Sequence, residues 1–184
     1  MKKICFTVEN DGFYGSYYEC SQQSDHVMIG LFGDDPNDYM AKCGAKWLCR
    51  QGINVMAMSP GKKDYSHVNC PIERVEKAIE KCKSRGNSYF GIMGMSTAGK
   101  YVRRMKRRLE EKPHICKYKA ITYEYGTHFV LPESMLRIAL PVGLRLFMRL
   151  MFRSAKEHPK ECEQTRKDID REIRKAIKIW KRCL

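Results

Sequence analysis

The sequence predicts an α/β fold in which a mostly parallel sheet is flanked by helices, with a hairpin before the sheet and a helical tail after it. Two observations predict this class. Short apolar runs alternate with helical patterns between residues 26 and 123, which is typical of a parallel sheet. With 184 residues, 43% of them hydrophobic and 30% charged, the chain has the composition of a globular protein. We therefore expect a single domain over residues 1–184.

The first residues, 3–19, predict a β-hairpin. Ile4, Phe6 and Val8 alternate with other residues, as in a strand that buries one face. The triplet Asn10-Asp11-Gly12 is a turn signal, and the tyrosines after it suit a second strand.

Four further strands are predicted at residues 26–32, 53–58, 88–93 and 118–123. The first three read HVMIGLF, INVMAM and SYFGIM. Runs that are apolar nearly throughout indicate strands buried on both faces of a parallel sheet.

Helices are predicted between these strands. Asp35 is a suitable N-cap and Pro36 a suitable first residue for a helix that reaches about residue 50, where Gly52 closes it. Pro71 opens a second helix, to about residue 85, and a third, basic helix is expected over residues 97–111.

The tail predicts helices without strands. Residues 132–152 are amphipathic, with a break at Pro141, and we expect them to cover the sheet. Residues 159–182 predict a long charged helix. Its apolar stripe consists of Ile169, Ile173, Ala176, Ile177 and Trp180.

The most informative segment is Gly94-Met95-Ser96-Thr97-Ala98, which places a serine at a strand–turn–helix junction. Small residues two positions before and after the serine let the strand and helix backbones approach closely, which is the context of a nucleophile elbow. We therefore predict Ser96 as a nucleophile and the backbone N–H of Thr97 as a donor to an oxyanion. A tight connection without catalysis would use the same small residues.

A second motif overlaps these residues. Gly94, Gly99 and Lys100 fit the phosphate-binding pattern G-x-x-x-x-G-K. That pattern requires Ser or Thr next, to hold Mg²⁺, whereas this chain has Tyr101. We therefore rank nucleotide binding below the nucleophile.

Among five histidines, His128 is the best placed to act as the base. It follows the last predicted strand and comes after the serine, which is the order found when this kind of sheet carries a catalytic triad. The second oxyanion donor is expected in the loop after the first parallel strand, where Gly33 and Asp34 are the candidates.

These segments resemble the C-terminal domain of the acyl-CoA thioester hydrolase and bile acid-CoA:amino acid N-acyltransferase group of α/β hydrolases. LFGDDPNDYMAKCGAKWLCRQGINVMAMSP is similar to that group's oxyanion loop, first helix and next strand, GIMGMSTAG to its elbow, and YEYGTHFVLPES to its histidine loop. The resemblance implies an α/β-hydrolase fold, with Ser96 as nucleophile and His128 as base. It implies a serine hydrolase that cleaves acyl thioesters or esters through an acyl-Ser96 intermediate.

The chain departs from that group in length. Only 31 residues separate Ser96 from His128, which is room for one helix and one strand. The resemblance therefore implies a shortened member without the central strands and the triad acid. The interval contains the carboxylates Glu110, Glu111 and Glu124, and none follows an intervening strand, so the triad acid stays unassigned. Loss of that acid can lower kcat by about 10⁴, so we expect weak or absent activity; the alternative is a non-catalytic protein that binds anionic ligands.

Charge and cysteine content predict the partners and the compartment. The net charge of +14, concentrated in residues 100–119, suits an anionic ligand such as the phosphates of CoA, although a solvated helix face also explains it. Few aromatic residues accompany these cations, so we expect no nucleic acid. No transmembrane segment, secretory signal, metal site or cofactor is predicted, and nine scattered cysteines without a C-x-x-C motif favour the cytoplasm. The oligomeric state stays open.

Overall fold

The computed structural model describes residues 1–32, 38–58, 73–94, 107, 110–111, 123–126 and 131–182. The chain divides into two compact units, Met1–Ala98 and Gly99–Leu184, and each is described by itself. The expectation of one domain over residues 1–184 stays a prediction.

The described residues of the first unit form a five-stranded sheet in the order β1-β2-β4-β3-β5. Its strands are β1 (Lys2–Phe6), β2 (Gly15–Glu19), β3 (His26–Leu31), β4 (Asn54–Met58) and β5 (Tyr89–Gly94). β3 is parallel to both β4 and β5, whereas β2 is antiparallel to both β1 and β4. The predicted α/β class is confirmed, but the expectation of a mostly parallel sheet is wrong. The sheet is mixed because the N-terminal hairpin pairs with β4 and becomes part of it.

The predicted hairpin is present, with a short helix in place of a tight turn. α1 (Val8–Asp11) connects β1 to β2, and the Thr7 hydroxyl caps it by accepting the Asn10 N–H at 3.3 Å. Gly12 ends the helix at φ 75°, a left-handed conformation that glycine adopts without steric cost.

β3 and β4 are covered by helices on both faces of the sheet. On one face, Val27 and Ile29 of β3 belong to a buried cluster that includes Ala78 and Cys82 of α3 (Glu73–Lys83). On the other face, α2 (Tyr39–Cys49) packs against β2, β3 and β4. Because successive strand residues point to opposite faces, strands covered in this way must be apolar at nearly every position, as predicted.

Helix α2 begins later than expected. It starts at Tyr39, after Asp38, which has φ 53°. Asp35, Pro36 and Pro71, which were predicted to open the two helices, lie outside the described residues.

The ring of Phe32 is packed between the carboxyl end of β3 and helix α2. A Cβ atom at Gly30 would lie 2.0 Å from this ring, and one at Gly44 would lie 2.6 Å from it. Both distances are well inside van der Waals contact, so the ring occupies the space that side chains at these two positions would need. The two glycines therefore determine how closely α2 approaches β3.

A buried polar network joins the opposite, amino-terminal ends of the strands. Asn54 donates to the Ser24 carbonyl at 2.8 Å and to the Asn87 side-chain oxygen at 3.0 Å, and it accepts the Cys20 N–H at 3.0 Å. Asn87 in turn donates to the Tyr17 hydroxyl at 2.9 Å. With their partners satisfied, these buried amides stabilise the start of β4 and β5.

The described residues of the second unit form helices. These are α4 (Glu133–Ala139), α5 (Leu144–Met151), α6 (Arg153–Glu157) and α7 (Pro159–Trp180). The predicted break at Pro141 falls between α4 and α5, and the predicted charged tail helix is α7. Of the predicted strand at residues 118–123, all but Tyr123 lies outside the described residues, as does most of the predicted helix at 97–111.

A buried ion pair connects α4 to α7. The Nε of Arg166 donates to Oε2 of Glu133 at 2.8 Å, and both side chains are buried. Arg137 lies 3.0 Å from the other carboxylate oxygen of Glu133, as an ion contact rather than a hydrogen bond. One residue on, the Ser134 N–H donates to Asp170 at 2.8 Å, and Asp170 also accepts from Arg174 at 2.6 Å.

We predict that Gly44→Ala destabilises the protein. Alanine in the middle of a helix is normally more stable than glycine by about 0.5–1 kcal/mol, so a gain would be expected if the site had room. Overpacking against Phe32 costs about 1–3 kcal/mol, so the net effect is a loss of about 1 kcal/mol in the free energy of unfolding. Urea denaturation measures it.

Phe32→Ala supplies the control background. With the ring removed, Gly44→Ala is expected to change sign and to stabilise the Phe32→Ala variant by the helix term alone. The exposed replacement Lys42→Ala on the same helix is expected to stay within about 0.5 kcal/mol of the wild type. A Gly44→Ala variant that is more stable than the wild type in both backgrounds would contradict the packing described above.

Candidate active site

The five residues predicted to form the site are Ser96, Thr97, His128, Gly33 and Asp34, and all lie outside the described residues. Their roles, and the distance between Ser96 and His128, stay predictions. The structure describes the strand ends and helices from which these segments leave.

The segments that carry Ser96 and Gly33 leave the sheet from paired positions. β3 and β5 are neighbouring parallel strands, and Leu31 pairs with Gly94 at their carboxyl ends. The chain reaches Gly33 two residues after Leu31, and Ser96 two residues after Gly94. In open α/β sheets, ligands bind beyond the carboxyl ends of the strands, where neighbouring connections run to opposite faces. β3 has this position, because α2 and α3 cover opposite faces of the sheet.

The packing of Phe32 adds order to this strand end. Phe32 is the last described residue before Gly33, and it is buried between Gly30 and Gly44. The chain therefore enters the segment of Gly33 and Asp34 from an anchored residue.

The segment before His128 contacts the helices of the second unit. The ring centroid of Tyr125 lies 4.9 Å from that of His158. The Gly126 carbonyl accepts a hydrogen bond from the Ser154 hydroxyl at 3.3 Å. These contacts attach residues 123–126 to α6 and to the start of α7.

The three carboxylates between Ser96 and His128 are all exposed. Glu110, Glu111 and Glu124 lie on the surface of the described part of the chain. A triad acid is normally buried beside the histidine that it orients. Their exposure is consistent with the sequence-based conclusion that none of them is assigned to that role.

The described histidines occupy other places. His26 lies at the amino end of β3, where its Nδ1 is 2.7 Å from Asp25 and its ring stacks on Tyr89 with centroids 4.7 Å apart. His158 precedes α7. His26 is therefore at the end of β3 opposite the paired carboxyl ends of β3 and β5.

Two of the described cysteines, Cys49 and Cys82, are poor candidates for an alternative nucleophile. Burial raises the pKa of the Cys82 thiol to about 12, and burial also raises that of Cys49 to about 12. A thiol with such a pKa is almost entirely protonated at pH 7 and reacts slowly. Six cysteines of the described part of the chain are not joined in disulfides: Cys5, Cys20, Cys43, Cys49, Cys82 and Cys162.

Sequence reasoning missed a basic cavity in the second unit. It lies among α5, α6 and α7, and Glu163 is its acidic lining residue. The Arg145 Nε lies 2.9 Å from one oxygen of Glu163, and the Lys167 Nζ lies 2.8 Å from the other. The arginines within residues 132–152 were the available sequence signal for a basic site. The sequence alone does not show that they lie opposite α7, because this depends on the tertiary fold.

Within the described ranges, no helix is long and apolar enough to cross a membrane. The same ranges contain no group of three or more His, Cys, Asp or Glu residues arranged to hold a metal ion.

Comparison of the chain with protein-family models, with curated proteins and with solved structures found no match.

We predict that Glu163→Gln makes the free energy of unfolding less dependent on pH in the acid range. Hydrogen bonds from Lys167, and then Arg145, lower the pKa of Glu163 from 4.5 to about 2. Because its folded pKa is depressed, the ionised carboxylate contributes stability that is fully present above about pH 4.5 and is lost as the pH falls towards 2. The free energy of unfolding, measured in urea at pH 7 and at pH 3, is expected to change less in the variant than in the wild type.

The matched control is Glu157→Gln. Glu157 is an exposed carboxylate of the same unit, 2.7 Å from the exposed Arg153. Exposed pairs contribute little, so this control is expected to keep the wild-type pH dependence. Equal slopes for wild type and Glu163→Gln would show that Glu163 titrates alike in the folded and unfolded chains.

Proposed function

We propose that the protein is a serine hydrolase of acyl thioesters or esters, with Ser96 as nucleophile and His128 as general base. The observation that carries the proposal is the pairing of Leu31 with Gly94. An oxyanion hole of this kind takes one N–H from the residue after the nucleophile and another from the loop after a neighbouring strand. The ends of β3 and β5 are the pair of neighbouring strands that this requires.

The sequence around Ser96 supplies the second support. β5 is a strand that ends at Gly94, as the elbow pattern requires of the element before the nucleophile. Thr97 follows the serine and provides the first N–H, while Gly33 or Asp34 provides the second. The finer assignment to an α/β hydrolase related to acyl-CoA thioester hydrolases rests on the sequence resemblance.

The proposed reaction has two steps. The Ser96 hydroxyl attacks the carbonyl carbon of the acyl group while His128 takes its proton, and the backbone N–H groups stabilise the negative oxygen that forms. The C–S or C–O bond to the leaving group breaks, and His128 returns the proton to the departing thiol or alcohol. Water then attacks the acyl-serine by the same route and releases the carboxylic acid.

Slow turnover is part of the proposal. Glu110, Glu111 and Glu124 are exposed, and no triad acid is assigned. A histidine without that acid is not held in the tautomer and orientation that accept the serine proton, which lowers kcat by about 10⁴. Acylation of Ser96 would then be fast relative to overall turnover only if the backbone N–H donors of the oxyanion hole remain in place.

We predict that a fluorophosphonate probe labels Ser96 slowly. Phosphonylation requires an activated serine and an oxyanion hole, but no deacylation, so it detects an enzyme with poor turnover. Gel fluorescence followed over hours, with peptide mass spectrometry of the labelled site, measures it. Ser96→Ala is expected to abolish labelling.

Ser84→Ala is the matched control, because Ser84 follows α3 in the same unit and its hydroxyl donates to the Lys81 carbonyl of that helix. It is expected to label at the wild-type rate. Absence of labelling in the wild-type protein would favour the alternative, a non-catalytic protein that binds anionic ligands. Labelling at a serine other than Ser96 would contradict the proposal outright.

We predict that His128→Ala lowers kcat for a short-chain acyl-CoA by about 10²–10⁴ with little change in KM, because a general base acts in the transition state. Steady-state release of free thiol measures both constants. His158→Ala removes the one histidine of the second unit that lies in the described part of the chain, and it is expected to leave kcat unchanged. Equal loss in both variants would indicate a structural effect instead of base catalysis.

A further inference from the structure

The cavity of the second unit has a volume of about 380 Å³. That is within the range of roughly 300–1,000 Å³ that small-ligand sites occupy. Met148 and Ala155, both buried, form part of its lining. Its charged lining residues are Arg145, Arg149, Lys160, Glu163, Arg166 and Lys167. Five of these six are basic, so the cavity has an excess of positive charge.

Two of the basic residues are uncompensated. Glu163 pairs with Arg145 and Lys167, and Arg166 pairs with Glu133. Arg149 and Lys160, by contrast, form no ion pair with any residue that the structure describes. The excess charge of the cavity therefore resides on side chains that are available to an external anion.

The start of α7 adds to this charge. Pro159 and Lys160 are the first residues of this 22-residue helix and also line the cavity. His158, at the N-cap, makes no side-chain hydrogen bond to the first turn. The free N–H groups and the positive end of the helix dipole favour an anion at this place.

An exposed apolar row accompanies the cavity on α5. Leu146 and Leu150 lie four residues apart on this helix, with 62% and 76% of their surface exposed, and Val142, which precedes the helix, is 88% exposed. Leu146 and Leu150 directly follow the two cavity arginines, Arg145 and Arg149, so that cations and apolar side chains occupy adjacent stripes of one helix. Met151, at the end of α5, is 61% exposed. Exposed apolar side chains grouped beside cations on one helix form a candidate interaction surface.

We propose that α5 and the adjoining cavity form a docking site for a lipid surface that contains anionic phospholipids. The headgroup phosphate binds between Arg149, Lys160 and the start of α7, and the apolar row enters the boundary between headgroups and acyl chains. A helix that has a cationic stripe beside an exposed apolar stripe is the form in which proteins lie on such surfaces.

The charge of the site favours a lipid over other occupants. A soluble phosphate compound would account for Arg149 and Lys160 but leaves the apolar row without a role. A second copy of this chain would bring another arginine-rich surface, with its net charge of +14, against the first. An anionic lipid surface satisfies the cations and the apolar side chains together.

Co-sedimentation of the full chain with vesicles tests the proposal. We expect the wild type to pellet with vesicles of phosphatidylcholine and phosphatidylglycerol, but not with vesicles of phosphatidylcholine alone. The variant Arg149→Ala/Lys160→Ala is expected to bind about thirtyfold more weakly, since each cation near an anionic surface contributes about a factor of five. Leu146→Ser/Leu150→Ser is expected to weaken binding by about tenfold or more.

Matched controls separate the site from general charge and hydrophobicity. Lys175→Ala/Lys178→Ala removes the same charge from exposed positions near the other end of α7, and Ile179→Ser removes an exposed apolar side chain there. Both are expected to stay within about threefold of the wild type, because a surface field acts within a Debye length. The melting temperature of each variant verifies folding, and all the replaced side chains are exposed.

Several outcomes would overturn the proposal. These are absence of wild-type binding to the anionic vesicles, or an equal loss of binding in Lys175→Ala/Lys178→Ala. Calorimetric binding of inorganic pyrophosphate that depends on Arg149 and Lys160, without vesicle binding, would assign the cavity to a soluble phosphate. A dimer in sedimentation equilibrium that Leu146→Ser/Leu150→Ser dissociates, again without vesicle binding, would assign the apolar row to self-association. None of these readouts depends on Ser96 or His128, so the test is independent of the proposed hydrolase activity.

Discussion

The burial of both faces of β3 and β4 is the constraint from which the arrangement of the first unit follows. Each strand has apolar side chains on both faces, and water must be excluded from both. One helix cannot cover two faces, so α2 and α3 pack on opposite faces of the sheet. The helices that follow β3 and β4 along the chain therefore lie on opposite faces, and in open α/β sheets this arrangement accompanies ligand binding beyond the carboxyl ends of the strands. At the opposite, amino-terminal ends of the strands, the buried side chains of Asn54 and Asn87 form a hydrogen-bonded network instead.

Close packing at one point links the core to the candidate active site. Phe32 directly follows β3, and its ring occupies the space next to Gly30 and Gly44. Interiors are packed at the density of organic crystals, so a ring in that position transmits any change in the helix–strand distance to the chain that follows. The residue that begins the predicted oxyanion segment is thus attached to the centre of the sheet.

The second unit is organised by charge as much as by apolar burial. Arg166 and Glu133 are buried as a hydrogen-bonded pair, and removing either partner alone would leave an uncompensated charge, at a cost of about 3–5 kcal/mol. Glu133 and Glu163 each face two cations, and their ion pairs connect α4 and α5 to α7. Asp170 pairs with Arg174 and accepts the Ser134 N–H, which adds a second connection between α4 and α7. Arg149 and Lys160 form no ion pair with any described acid, so their charges are available to an external anion.

Local pattern alone was sufficient for much of the fold. The strands at β3, β4 and β5 were recognisable as apolar runs of strand length, α7 was recognisable from its stripe, and Pro141 marked the break between α4 and α5. The helix that replaces the hairpin turn was not recognisable, because Asn10-Asp11-Gly12 serves equally as a turn and as the end of a helical turn capped by Thr7. The pairing of β2 with β4 was also missed, since nothing in a hairpin indicates which strand of a later sheet its outer edge will meet. Ser96 and His128 were identified from local chemistry and stay predictions.

The sequence by itself determined the α/β class, the order of elements along the chain and the residue types at the strand–turn–helix junction, because these depend on the periodicity and turn chemistry of neighbouring residues. Only the tertiary structure decided that the sheet is mixed, that Leu31 lies beside Gly94, and that Arg149 and Lys160 line one cavity. Each of these facts joins residues that are distant along the chain, and long-range pairing is selected by how whole faces pack together rather than by any local pattern.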